Sequence, residues 1–175
     1  MQSADRYRIA LLASYALALH GLEAFIPTPI PWLRLGLSNI ITVITLFFYG
    51  MKPALTVTMI RILLGSLFIG TFLGPGFFLS LSGGLAGTVS MGLAAALFPR
   101  LFSPLGISLI GAFFHNIAQL FIAYLLFVRQ IQAILVVLPF LIVAGTLTGA
   151  CNGYAAKYLI QEIRKAKKQV MGERL

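Results

Sequence analysis

Long apolar runs, broken by short segments rich in proline, glycine or arginine, set the pattern of this chain. The runs extend from about Ile9 to Ile26, Leu35 to Gly50, Ala54 to Phe72, Phe77 to Phe98, Leu105 to Val128 and Ile131 to Tyr158. Each is 16 to 28 residues long, against the ~20 apolar residues that carry a helix across a bilayer core. The pattern therefore predicts an all-α integral membrane protein: one six-span bundle over residues 1–160, followed by a basic tail over 161–175. The second run is the shortest and is expected inside the bundle. Between the first two runs, Pro27-Thr28-Pro29-Ile30-Pro31-Trp32-Leu33-Arg34 alternates three prolines and cannot continue a helix. It reads as a stiff loop or lid. Met51-Lys52-Pro53, Leu73-Gly74-Pro75-Gly76 and the Pro99–Pro104 segment read as turns, and Arg129-Gln130 marks the last reversal.

Composition agrees with this reading. Of 175 residues, 59% are hydrophobic and 10% charged, and the mean hydropathy is +0.97. A water-soluble domain cannot cover that much apolar surface, so the excess faces lipid. No cleavable signal peptide is evident. The first run follows Asp5-Arg6-Tyr7-Arg8, carries His20 and Glu23, and lacks a small-residue cleavage site, so it reads as the first span.

The net charge of +9 is unevenly placed. Six spans put Arg6, Arg8, Lys52, Arg100 and the basic residues from Lys157 onward on one side, ten of the thirteen in all. Only Arg34 and Arg129 fall on the other side, and Arg61 lies within the third span. Basic residues concentrate on the cytoplasmic side of membrane proteins, so both termini are expected in the cytoplasm. The basic tail is expected to meet anionic lipid rather than nucleic acid. The single cysteine, Cys151, excludes a disulfide framework and reads as a small packing residue.

Small residues recur at helical spacing. Gly145, Gly149 and Gly153 share a face of the sixth span, and Ser80, Gly83, Gly84 and Gly87 crowd the fourth. Both patterns suit close packing of helices within the bundle. Ala10, Ser14 and Ala18 form a similar stripe on the first span, where packing or docking of another membrane protein would each fit.

Polar side chains in hydrocarbon are costly, and they turn toward the bundle interior or a cavity. The candidates are His20 and Glu23, Asn39 and Thr42, Arg61, the group His115-Asn116-x-x-Gln119, and Thr146, Thr148 and Asn152. His115 and Gln119 are four apart and share a face, with Asn116 close beside. This group could read a polar ligand or hydrogen-bond between helices. Arg61 lies about eight residues, or ~12 Å, from its cytoplasmic turn, and snorkelling toward water is its expected state. Glu23, at the other end of its span, is expected to face Arg34 across the loop rather than Arg61. Trp32 suits either an interfacial anchor or a cover over a ligand.

Enzyme chemistry finds little support. Aspartate occurs only at Asp5, and no paired-carboxylate motif could hold magnesium and a diphosphate. No Walker A motif, nucleophile elbow or metal-ligand spacing is present. No cofactor or metal is expected.

Several motifs together resemble one family. They are Leu22-Glu23-Ala24-Phe25-Ile26-Pro27, Leu35-Gly36-Leu37-Ser38-Asn39-Ile40, Arg61-Ile62-Leu63-Leu64-Gly65-Ser66, Gly70-Thr71-Phe72-Leu73, Ser80-Leu81-Ser82-Gly83-Gly84 and Gly111-Ala112-x-x-His115-Asn116-x-x-Gln119. From about Arg8 to Tyr158 the chain resembles the small bacterial membrane proteins called heptaprenyl diphosphate synthase component I, or Gx transporters. That family is in turn similar to the substrate-binding S components of energy-coupling factor (ECF) transporters. The resemblance implies a multi-pass protein of the bacterial cytoplasmic (inner) membrane that binds a small-molecule substrate and is not itself an enzyme. It implies a pocket from His115, Asn116, Gln119 and Asn152 with the Trp32–Arg34 loop as a lid, and Asn39 and Glu23 are further candidates for the same binding site. It also implies docking through Ala10, Ser14 and Ala18 onto a transmembrane coupling subunit driven by ATPases. The alternatives are an accessory subunit of an isoprenoid or quinone pathway, or a membrane part of a flavin-linked electron-transfer system.

Overall fold

The computed structural model describes residues 3–24, 36–98 and 101–172. The 27–34 segment, with Trp32 and Arg34, lies outside them. Six helices form among the described residues: α1 (Ser3–Ala24), α2 (Ser38–Tyr49), α3 (Met51–Ile69), α4 (Pro75–Leu97), α5 (Pro104–Ala123) and α6 (Ile131–Gly172). A π-helical turn, Tyr124–Val128, continues α5. Helices α3 to α6 are long and apolar enough to cross a membrane.

The helix ends follow local chemistry. Gly50, at φ +85°, is the whole connection between α2 and α3. The turn expected at Met51-Lys52-Pro53 is instead the first turn of α3, where a proline costs no helical hydrogen bond. Helix α3 ends in a Schellman motif: Gly70 is left-handed at φ +74°, its N–H meets the Leu67 carbonyl at 3.2 Å, and the Thr71 N–H meets Ser66 at 2.8 Å. Pro75 and Pro104 open α4 and α5, and the Ser103 hydroxyl caps α5 by accepting from the Gly106 N–H at 3.4 Å.

Helix α2 has 12 residues, about 18 Å at ~1.5 Å per residue. It cannot cross a bilayer core alone, and it is the hub of the bundle, touching each of the other five helices. Its residues from Ile41 to Leu46 are all buried. Threonines link the middle of the bundle: Thr58 Oγ1 lies 3.4 Å from Thr42 on α2 and 3.0 Å from Thr88 on α4. Hydrogen bonds of this kind hold helices together where lipid offers no hydrophobic gain.

The glycine stripes pack inward, as their spacing implies. A Cβ on Gly149 would lie 2.8 Å from that of Ala112, and one on Gly153 would lie 2.7 Å from the Leu105 backbone. Ser108 Oγ adds a bond to the Gly149 carbonyl at 2.8 Å. Cys151, in contrast, is exposed on the outer surface of α6. Its neighbours Asn152 and Gly153 take the inward positions, so it does not pack as a core residue. Helix α6 runs without a break past residue 160 to Gly172, and beyond Ile160 its surface is largely exposed.

Candidate functional site

The polar side chains of all six helices converge on one cavity. It is lined by His20 and Glu23 from the end of α1, Ser38 and Asn39 from the start of α2, and Arg61 from the middle of α3. His115, Asn116 and Gln119 from α5 and Thr148 and Asn152 from α6 complete it, while α4 supplies Ser80, Gly84 and Gly87. Its volume is about 60 Å³.

Arg61 is the least expected member. Its side chain does not snorkel. It is 5% exposed, and its Nη1 donates to Ser38 Oγ and, at 3.5 Å, to Asn39 Oδ1. Glu23 lines the same cavity as Arg61, while Arg34, the partner expected for Glu23, lies outside the described residues. Position along the axis fixes the depth of Arg61, but its helical face decides the environment. Ala54, Thr58, Arg61 and Gly65 form a stripe of small and polar residues that turns inward, whereas Leu63, Leu64, Leu67 and Phe68 are exposed. That stripe was the available signal.

Glu23 joins the two ends of the undescribed connection. Its Oε1 accepts from the Leu37 N–H, and its Oε2 lies 3.9 Å from His20 Nδ1. His20 is buried at 6% exposure and rests on Gly65, where a Cβ would fall 2.6 Å from the ring. Across the cavity, Asn152 Nδ2 donates to the Gly36 carbonyl at 3.0 Å. Gly36 is left-handed at φ +71°, and a side chain there would press on both Asn152 and Asn39 at 3.3 Å. Asn152 thus fixes the approach to α2 from α6.

On α5, His115 and Gln119 share the face that their spacing implies. Both press on Gly83 of α4, where a Cβ would lie 2.8 Å from the His115 ring and 2.9 Å from Gln119 Cγ. Gln119 makes no hydrogen bond among the described residues, so its amide is open toward the cavity. Asn116 is engaged differently. Its Nδ2 donates to the Leu141 carbonyl at 2.7 Å, tying α5 to α6 above Gly145. Thr146 is exposed and bonds its own helix at Ile142.

The fold thus brings His115, Asn116, Gln119, Asn39, Asn152 and Glu23 to one cavity and adds Arg61, His20 and Ser38. Trp32 and Arg34 fall outside the described residues. Ala10, Ser14 and Ala18 lie apart from the cavity, on the exposed face of α1. Ser14 Oγ bonds the Ala10 carbonyl at 2.9 Å, which keeps its hydroxyl within its own helix. No group of three potential metal ligands occurs among the described residues. Among the described residues, the arrangement offers hydrogen bonds and the Arg61 guanidinium to a bound molecule, without a nucleophile–base pair or a metal cradle.

Comparison with solved structures finds the S component of a bacterial ECF transporter. It shares 17% identity, the match covers 95% of this chain and 98% of that one, and the TM-score is 0.55. At that identity the likeness shows a common fold. A search of characterised proteins found no significant match. The family model for heptaprenyl diphosphate synthase component I matches residues 12–159, which include every described residue that lines the cavity. The chain is therefore an integral membrane protein of the heptaprenyl diphosphate synthase component I family, built on an ECF S-component fold.

Proposed function

We propose that this protein is the solute-binding subunit of an ECF-type transporter in the bacterial cytoplasmic membrane. The carrying observation is the buried cavity in which Arg61, Asn39, His115, Gln119 and Asn152 converge from four helices. Ionisable groups held inside a membrane bundle are retained for ligand or ion handling far more often than for stability. The common fold with an S component supports the same reading. In this reading Ala10, Ser14 and Ala18 present a small-residue face to a transmembrane coupling subunit, and ATP hydrolysis in partner subunits drives release. Both termini face the cytoplasm, and solute arrives from the outside past the 27–34 connection.

Catalysis of prenyl transfer by this chain has no support in its residues. The family description names a synthase component, yet the one aspartate, Asp5, lies at the far end of α1 from the cavity.

The test is thermal stability of the purified protein against a panel of vitamins, flavins, quinones and prenyl diphosphates. A specific ligand at ~100 times its dissociation constant adds about 2.7 kcal/mol, a clear rise in melting temperature. The rise should vanish in the double variant His115→Ala/Gln119→Ala. A rise that persists there removes the site assignment. No rise with any compound, in protein that melts cooperatively, removes the solute-binding reading and leaves the accessory-subunit alternative.

A further inference from the structure

We infer that the ligand is a single-chain amphiphile, with a compact anionic headgroup in the central cavity and an apolar chain in a neighbouring chamber that opens toward lipid. This rests on the solute-binding reading above and names the ligand class for that site.

Size makes the first argument. Sites for small organic molecules hold ~300–1,000 Å³, and the central cavity holds about 60 Å³. Only a small headgroup fits there, so the rest of a ligand must lie elsewhere.

Position makes the second. A chamber of about 280 Å³ lies between α4, α5 and the start of α6. Gln119 lines both spaces. A smaller pocket lies beside both, lined by Asn116 and Gly145 in common with the polar cavity and by Leu120 and Leu141 in common with the chamber. The two main volumes together fall inside the usual range for an organic ligand.

Chemistry makes the third. Leu79, Leu120, Ala123, Phe127, Val128 and Leu141 give the chamber walls no hydrogen-bonding side chain apart from Gln119 at the junction. Leu120 and Leu141 are buried at its back, while Phe127 and Val128 are more than a third exposed at its rim. Such a space is shaped to take a chain sideways from the bilayer. The rim residues belong to the π-helical turn, closed by the Arg129 N–H on the Tyr124 carbonyl at 3.1 Å. Turns of this type reposition side chains and are frequent at functional sites. At the polar end, the Arg61 guanidinium and the Gln119 amide can both donate to an anion, in a cavity that also holds the Glu23 carboxylate.

The test uses the full chain in phosphatidylcholine nanodiscs, titrated with decyl phosphate, methyl phosphate and decan-1-ol, with bound molecules counted by native mass spectrometry. One decyl phosphate should bind per protein, about tenfold or more tighter than either methyl phosphate or decan-1-ol. Filling the chamber by Ala123→Phe, or independently by Leu79→Trp from α4, should remove that gain and leave methyl phosphate unchanged. Partitioning into the nanodisc is common to all variants, so the difference reads the chamber. Melting temperatures of both variants without ligand establish that they fold. Decyl phosphate binding that is indifferent to both fillings, or that decan-1-ol equals, overturns the inference. So does phosphatidylcholine that stays in the chamber at saturating decyl phosphate. A water-soluble solute that stabilises wild type and Ala123→Phe alike would overturn it too, while sparing the transporter reading.

Discussion

Gly83 shows how single residues shape this site. His115 and Gln119 lie where a side chain at Gly83 would begin. Gly83→Ala should therefore push both out of place, at about 1–3 kcal/mol in stability and about a tenfold loss in affinity for the solute that the panel identifies. Melting temperature and titration read the two effects separately, and unchanged affinity would show that neither side chain touches the ligand. Glu23 permits a cleaner dissection of charge from hydrogen bonding. Glu23→Gln keeps an oxygen for the Leu37 N–H, whereas Glu23→Ala leaves that donor without its acceptor, at a cost of about 1–3 kcal/mol. The alanine variant should melt well below the glutamine variant; equal melting would mean the bond contributes nothing to holding α1 against α2. The His115–Gln119 pair was legible from spacing alone, since four residues on a helix share a face whatever surrounds it. Arg61 was misread because distance along an axis does not report rotation about it. Asn116 shows a second limit: its bond to the Leu141 carbonyl joins residues 25 apart, a pairing no local pattern contains.

At the scale of elements, breaks were legible where the chain has no alternative. Pro75 and Pro104 begin helices, and Gly70 ends one in a conformation that other residues adopt only with strain. Gly70→Ala should cost about 1–2 kcal/mol, read as a lower melting temperature with solute affinity unchanged, because Gly70 lies outside the cavity. Pro53 was misleading for a related reason: proline forbids a helix interior yet suits a first turn, and only Gly50 before it shows which applies. Helix α1 separates two kinds of small-residue stripe. Gly149 faces α5, so Gly149→Leu should destabilise the bundle, whereas Ala10, Ser14 and Ala18 face outward. Ala10→Leu/Ser14→Leu should leave melting temperature and solute binding intact but abolish uptake in cells carrying the coupling subunits. Normal uptake in that variant would remove α1 as the docking face. Spacing could not tell these stripes apart, because the same period serves internal and external contact.

For the whole molecule, the proposed direction through the membrane rests on charge and helix length together. Helix α6 has 42 residues, or ~63 Å at about 1.5 Å per residue, roughly twice a ~30 Å hydrocarbon core. Its far end must therefore stand clear of the bilayer, and that end carries Lys157, Arg164, Lys165, Lys167 and Lys168, all exposed. Glu162 and Lys165 form a surface pair there at 2.7 Å. Holding these charges in the cytoplasm places the α3–α4 turn, with Phe72, on the outside. In that orientation the cavity would sit in the outer half, since the end of α1, the start of α2 and the later part of α5 all lie toward that turn. Single cysteines test the arrangement once Cys151→Ser has removed the native thiol. In intact cells, Phe72→Cys should react with a membrane-impermeant maleimide, and Lys168→Cys should react only after permeabilisation. The reverse pattern would turn the cavity toward the cytoplasm, and uptake from outside could not begin there. The expected pattern would put the polar cavity and the mouth of the apolar chamber in the outer leaflet, where an amphiphile can reach both without first crossing the membrane.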